Sequence, residues 1–84
     1  MTTFTVMSGE RFGVPLLSHG DLLTEARAID LARALVLLGG AAFAFAWPSD
    51  LHSNPARQVY LFLDRHYRDR VPERGRIIRE VLDR

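Results

Sequence analysis

The sequence predicts an α+β fold: residues 1–84 as a single small domain of order β-β-α-β-α-α, with a three-stranded, mainly antiparallel sheet packed by helices. Phe43, Phe45 and Trp47 alternate with alanines, so a strand in this stretch is apolar on both faces. Such a strand needs cover on both sides, which layers of helices provide. The 84 residues, 48% of them hydrophobic, suffice for one core.

The N-terminal residues predict a β-hairpin. Polar and apolar side chains alternate from Phe4 to Met7, Ser8-Gly9-Glu10 is a turn signal, and the alternation resumes between Phe12 and Leu16. Pro15 has no amide hydrogen to donate to a ladder, so the second strand lies at an edge or ends there. We therefore expect the strand order 2-1-3, in which the third strand is Gly40–Trp47.

A loop at His19-Gly20-Asp21 and then a helix are predicted to follow the hairpin. Thr24 is a suitable N-cap for a helix that runs to Leu38, and Gly39 is its predicted stop. The apolar residues of this helix fall on one face, which we expect to cover the sheet. That face consists of Ala28, Leu31, Ala32, Leu35, Val36 and Leu38.

Two further helices are predicted in the C-terminal part. Asn54 caps the first of them, Pro55 occupies its first turn, and it runs to Arg68. Val71-Pro72 breaks the chain and begins the last helix, whose apolar stripe ends at Leu82. We expect these two helices to form an αα-hairpin that covers the sheet face left bare by the first helix.

Composition excludes several classes of protein. The formal net charge of +1 argues against a strongly cationic nucleic-acid binder and against an acidic mimic of DNA. The absence of cysteine excludes disulfides, thiolate catalysis and cysteine-ligated zinc. The start of the chain lacks the features of a signal peptide, and the uncharged stretch Ala34–Pro48 is shorter than the ~20 residues of a membrane-spanning helix. We expect a soluble, cytoplasmic protein with no membrane partner.

Signals for catalysis, cofactors and metals are weak. The three histidines have no metal-ligand spacing, and the glycines match neither a P-loop nor a dinucleotide fingerprint. Asp50 and His52 would be half of an acid/base pair if Ser18 or Ser53 lay nearby, but a structural or capping role is the stronger expectation. We expect no catalytic residue, no cofactor and no metal ion.

The helix predicted from Asn54 to Arg68 carries the candidate binding surface. Leu61 and Phe62 fall outside its buried stripe, among arginines, and an apolar centre with an arginine rim is typical of a protein-binding hot spot. The alternative is that the last helix packs on Leu61 and Phe62 and buries them. With two arginines of the last helix, the predicted partner-binding residues are Arg57, Leu61, Phe62, Arg65, Arg68, Arg76 and Arg79.

The arginine-rich C-terminal part suggests an alternative function. From Leu51 onward eight arginines accompany five acidic residues. Arginines in a row neutralise phosphates, which would suit a small nucleic-acid-binding or transcription-regulating protein. The acids are spaced for ion pairs along a helix, such as Arg65–Asp69 and Arg76–Glu80, and a solvated, salt-bridged face is the stronger expectation.

In its layout the chain resembles the small anti-CRISPR and related phage or mobile-element proteins. The features that carry the resemblance are the Phe4–Leu16 hairpin, the Thr24–Leu38 helix, the Gly40–Trp47 strand and the helical end. The resemblance implies a non-enzymatic protein-binding module that sterically blocks a bacterial defence nucleoprotein complex. The net charge departs from the acidic members that imitate nucleic acid. We expect a monomer in preference to a homodimer joined at the edge of the third strand.

Overall fold

Five strands, one α-helix and one 3₁₀ helix are formed by the residues that the computed structural model describes, which are 2–11, 16–71 and 76–83. The elements in chain order are β1 (Phe4–Gly9), β2 (Leu17–Leu23), α1 (Glu25–Leu37), β3 (Phe43–Pro48), β4 (Val59–Asp64), the 3₁₀ helix (Arg65–Arg70) and β5 (Ile77–Leu82). The strands make one mixed sheet of order β2-β1-β3-β4-β5. Neighbouring strands are antiparallel except for the parallel pair β4 and β5.

The predicted N-cap of the first helix is confirmed, and its predicted apolar face packs on the sheet except for Leu38, which is 87% exposed because it lies at the end of the helix. β1 lies between β2 and β3. The hydroxyl of Thr24 accepts a hydrogen bond from the amide of Arg27 at 3.4 Å, which satisfies one of the free amides of the first turn of α1. Ala28, Ala32 and Val36 are fully buried, and their spacing of four residues places them on one face of the helix.

The end of α1 differs from the prediction by one residue. The amides of Leu38 and Gly39 both donate to the carbonyl of Ala34, at 2.8 and 3.1 Å. The left-handed conformation then falls on Gly40, with φ of 81°, and not on Gly39. Glycine suits this position because it has no Cβ to clash with its own backbone.

Small side chains line the face of the sheet that α1 covers. Ala44 and Ala46 of β3 are fully buried there, between Val6 of β1 and Phe62 of β4. Alanines on the sheet lie under the alanines of the helix, so the two backbones approach closely. This arrangement explains why β3 alternates between small and bulky residues.

The opposite face of the sheet is covered by the 3₁₀ helix. The fully buried side chains on this face of the sheet are those of Phe43, Leu61 and Leu63. Tyr67 of the 3₁₀ helix and Val71 just after it pack on this cluster. The helix begins where the Asp64 carboxylate accepts a hydrogen bond from the amide of Tyr67 at 3.2 Å. One short 3₁₀ helix therefore lies where an αα-hairpin was predicted.

The predicted three-stranded fold of order β-β-α-β-α-α is wrong, and the first error is the helix Asn54–Arg68. This segment contains strand β4 and the start of the 3₁₀ helix. Val59–Leu63 is a continuous apolar run rich in aromatic and branched residues, which is typical of a strand buried on both faces. The same run also satisfies a helical stripe, so its position between β3 and β5 decides its conformation.

The second error is the last helix, because Ile77–Leu82 forms β5. The predicted helix start at Pro72 lies outside the described residues. β5 pairs with β4 in parallel, so the free backbone groups on that side of β4 are satisfied. β3 is also paired on both sides, by β1 and β4. The predicted route to a homodimer through the edge of the third strand is therefore closed.

Strand β2 differs from the predicted second strand. The second strand was predicted between Phe12 and Leu16, and positions 12–15 of that segment lie outside the described residues. The observed β2 runs from Leu17 to Leu23, through the predicted loop His19-Gly20-Asp21. Its pairing with β1 shifts register at two points. Leu22 has φ of 57°, a left-handed conformation that is unfavourable for leucine. An irregular edge strand with polar residues in its middle lacks the alternation of polar and apolar residues from which a strand is predicted.

Candidate functional site

A cleft among the described residues lies where the end of α1 meets the end of β1 and the start of β2. Its volume is about 610 Å³. Leu35 contributes from the last turn of α1, Leu17 from β2, and Glu10 and Arg11 from the segment after β1. A volume between roughly 300 and 1,000 Å³ is usual for ligand and anchor-residue sites.

Ser8 and His19 form a hydrogen-bonded pair in this cleft. The Ser8 side chain follows Phe4 and Val6 on the α1 side of β1, and only 4% of the residue is exposed. Leu17 lies opposite Ser8 in the ladder, and His19, two residues further on, returns to the same face. Ser8 Oγ is hydrogen-bonded to His19 Nε2. The bulged pairing of β1 with β2 therefore creates the contact.

Two glycines close the helical side of the cleft. A Cβ on Gly39 would lie 2.9 Å from the carbonyl oxygen of Leu35, closer than side-chain carbons come to backbone oxygens. Gly40 has positive φ, which disfavours any other residue. Both positions are therefore bare backbone, which leaves room beside Ser8 and His19 for an entering group.

Exposed leucines flank the cleft. Leu17 is 65% exposed on the β2 side, and Leu38 is 87% exposed next to Gly39 on the α1 side. Leu37, beside it, is 40% exposed. Leu17 lines the cleft together with Glu10 and Arg11, and Leu38 directly precedes Gly39, which lines its other side. Exposed apolar side chains around a concave surface are typical of a contact with another molecule.

The predicted apolar centre of the binding surface is buried. Leu61 is fully buried and Phe62 is 3% exposed. They alternate along β4, so Leu61 faces the cluster under the 3₁₀ helix and Phe62 faces α1. The alternative weighed from the sequence, that both residues are buried, describes the structure better, although α1 and the 3₁₀ helix cover them and not the predicted last helix.

The five predicted arginines lie in three separate places. Arg57 and Arg76 lie near the start of the parallel pair β4 and β5, where they line one shallow depression. Arg68 and Arg79 line another, on the face of the sheet that carries the 3₁₀ helix. Arg65 lies near the end of β5, where it pairs with an acid of that region. No single surface brings the predicted residues together.

Acidic residues accompany most of these arginines. The described ion pairs are Arg65 with Asp83, Arg68 with Asp69 at 3.6 Å, and Arg57 with Asp50 at 3.4 Å. Arg79 donates to the carbonyl of Val71 at 2.9 Å. Glu80 forms an ion pair with Arg33 of α1 at 2.7 Å and not with Arg76, because Glu80 is on the side of β5 that faces α1. Two of the predicted helical ion pairs, Arg65–Asp69 and Arg76–Glu80, are thus replaced by pairs between distant segments.

Sequence reasoning did not find the Ser8–His19 pair. Ser8 was read as part of a turn and His19 as part of a loop, and no motif connects them. One signal was present, since Ser8 continues the alternation of Phe4 and Val6 and so falls on the buried face. A buried hydroxyl requires a hydrogen-bond partner. The identity of that partner depends on the pairing of β2, which the sequence pattern did not reveal.

Comparison with protein-family models, with characterised proteins and with solved structures finds no match to this chain. No helix among the described residues has the length and apolar character that a membrane crossing requires. Within the same residues no three acidic or histidine side chains converge as ligands for a metal ion. The argument for a function therefore depends on the geometry of the cleft and of its surroundings.

Proposed function

We propose that this protein is a non-enzymatic protein-binding module, an inhibitor of the anti-CRISPR type that sterically blocks a bacterial defence nucleoprotein complex. The observation that carries the proposal is the cleft beside α1, which exposed Leu17 lines on one side and Gly39 on the other, with exposed Leu38 directly before Gly39 in the chain. A partner side chain inserted into the cleft would remove both leucines from water.

Burial of Leu17 and Leu38 against a partner would contribute to the free energy of binding. Full burial of one leucine side chain contributes about 1.5–3 kcal/mol, so Leu17 and Leu38 together supply a substantial share of what association requires. The walls of the cleft belong to strands and to a helix, which hold the contact residues in place before binding and reduce the entropy cost of association. Glu10 and Arg11 give the rim charges of both signs, as in a typical hot spot with a polar border.

The nucleic-acid alternative has less support. Binding to phosphates needs several arginines on one surface, whereas the pair Arg57 and Arg76 and the pair Arg68 and Arg79 line separate depressions. Three of them are accompanied by Asp50, Asp69 and Asp83. This alternative remains an outcome of the experiment below.

The experiment is affinity capture from lysates of bacteria that express an RNA-guided defence complex, with and without nuclease treatment. Wild type is compared with the double variant Leu17→Asp/Leu38→Asp, and Arg65→Glu/Arg68→Glu serves as the matched surface control. Because all four positions are exposed, we expect every variant to keep the circular dichroism spectrum of wild type. Wild type and the arginine variant should retain the complex after nuclease treatment, and the leucine variant should lose it.

Two results would overturn the proposal. The leucine variant could capture the complex as well as wild type does, which would remove the cleft from the contact. Capture could instead vanish with nuclease and with the arginine variant, and fall steeply with salt, which would favour the nucleic-acid alternative.

A further inference from the structure

The contact between Ser8 and His19 has the geometry of a nucleophile and its base. We propose that Ser8 is a reactive serine, activated by His19, which accepts the acyl group of small activated esters that enter the cleft. The reaction is stoichiometric, one acyl group per chain. It goes beyond the proposed protein-binding function and does not depend on it.

The hydrogen bond provides the activation. A serine hydroxyl is a weak nucleophile until an adjacent base removes its proton, and the base must lie within hydrogen-bond reach. Ser8 Oγ contacts His19 Nε2 directly. When the hydroxyl donates, Nε2 accepts and Nδ1 carries the ring proton, which is the tautomer that a general base needs.

The surroundings of Ser8 favour reaction with a small molecule over reaction with bulk water. The residue is almost completely buried, yet it lines the cleft, so an attacking reagent must approach through the cleft. Leu17, Leu35 and Ala41 offer an apolar wall for a short acyl chain. Arg11 lines the same cleft, and its positive charge favours the negative charge that develops on the carbonyl oxygen.

The step balances without an oxidant or a metal. Ser8 Oγ attacks the carbonyl carbon of the ester while its proton passes to His19 Nε2. The bond between that carbon and the leaving oxygen breaks, and the proton on Nε2 passes to the leaving group. The products are one serine ester on the protein and one free alcohol or phenol.

The test uses p-nitrophenyl acetate as the acyl donor and a fluorophosphonate as a second probe, from which fluoride leaves. We expect release of one equivalent of p-nitrophenolate per chain, with the acetyl group located on Ser8 by peptide mass spectrometry. Ser8→Ala should abolish labelling at this position. His19→Gln removes the base, and general-base catalysis typically contributes at least about 100-fold, so its labelling rate should fall by that factor.

Controls separate a reactive serine from a hydroxyl that merely needs a hydrogen bond. Ser18→Ala changes an exposed serine of β2 and should leave labelling of Ser8 unchanged. Should Ser8→Ala fail to fold, His19→Gln carries the test, since position 19 is exposed. The proposal would be overturned if Ser8 were labelled no faster than Ser18 and Ser53. It would also be overturned if Ser8 were labelled equally fast in wild type and in His19→Gln. Partner capture is measured separately, so failure of this reaction leaves the proposed protein-binding function intact.

Discussion

The two faces of the sheet are buried by different means. On one face α1 lies over the small side chains of β3, so alanine packs against alanine. On the other face the 3₁₀ helix provides one large residue, Tyr67, and the sheet itself supplies bulky side chains such as Phe43. The comparison shows that a long α-helix packs well on a sheet face of small side chains. Where only a short 3₁₀ helix covers the sheet, bulky side chains of the strands must fill the space between them.

The largest expected effect tests the face under the 3₁₀ helix. Phe43 is fully buried there, and Phe43→Ala should lower the free energy of unfolding by about 3–5 kcal/mol, because the buried side chains around it belong to paired strands that cannot move far enough to close the cavity. Phe45→Ala is the matched control, since Phe45 lies on the same strand and face but is only partly buried. Urea denaturation measures both. Equal losses for the two variants would contradict the account of this face.

An intermediate effect tests the face under α1. Ala44→Leu adds volume between β3 and α1, where no space is left, and overpacking of this kind should cost about 1–3 kcal/mol. Ala26→Leu makes the same change on an exposed position of α1 and should be nearly neutral. Both are compared by the midpoint of urea denaturation. A neutral Ala44→Leu would show that the close approach of helix and sheet is not required.

The smallest effect concerns the link between the two layers at the start of α1. Tyr60 of β4 donates its hydroxyl to Glu25. This hydrogen bond, then burial, then the negative charge of Glu25 raise the pKa of Tyr60 above its ordinary value of 10.0. Because the folded pKa lies above the unfolded one, the contribution to stability is fully present below pH 10.0 and is lost as pH rises through the folded pKa.

The measurement for Tyr60 is an ultraviolet titration of wild type against Tyr60→Phe, whose difference isolates this phenol from the second tyrosine of the chain. We expect the difference curve to have its midpoint above pH 10.0. The stability difference between the two proteins should stay constant below that pH and shrink above it. A midpoint at or below the ordinary value would contradict the contact with Glu25.

In the N-terminal half of the fold, α1 and β3 were predictable because their signals are local. Thr24 caps α1, the buried residues of the helix recur every fourth position, and the alternation in Phe43–Trp47 marks β3. Each signal involves only a few neighbouring residues. The second strand was not predictable in this way, because it was expected between Phe12 and Leu16 on account of Pro15, whereas β2 is Leu17–Leu23.

By itself, then, the sequence determined where α1 and β3 form and that both faces of β3 are buried. Tertiary structure alone decided that Val59–Leu63 is a strand and that Ile77–Leu82 pairs with it, because a continuous apolar run fits helix and strand equally until a neighbouring strand offers its backbone. The tertiary structure also decided which residues form the candidate site. Ser8 meets His19 only because an irregular edge strand pairs with β1 at one particular register, and register between segments is a long-range property that local pattern does not contain.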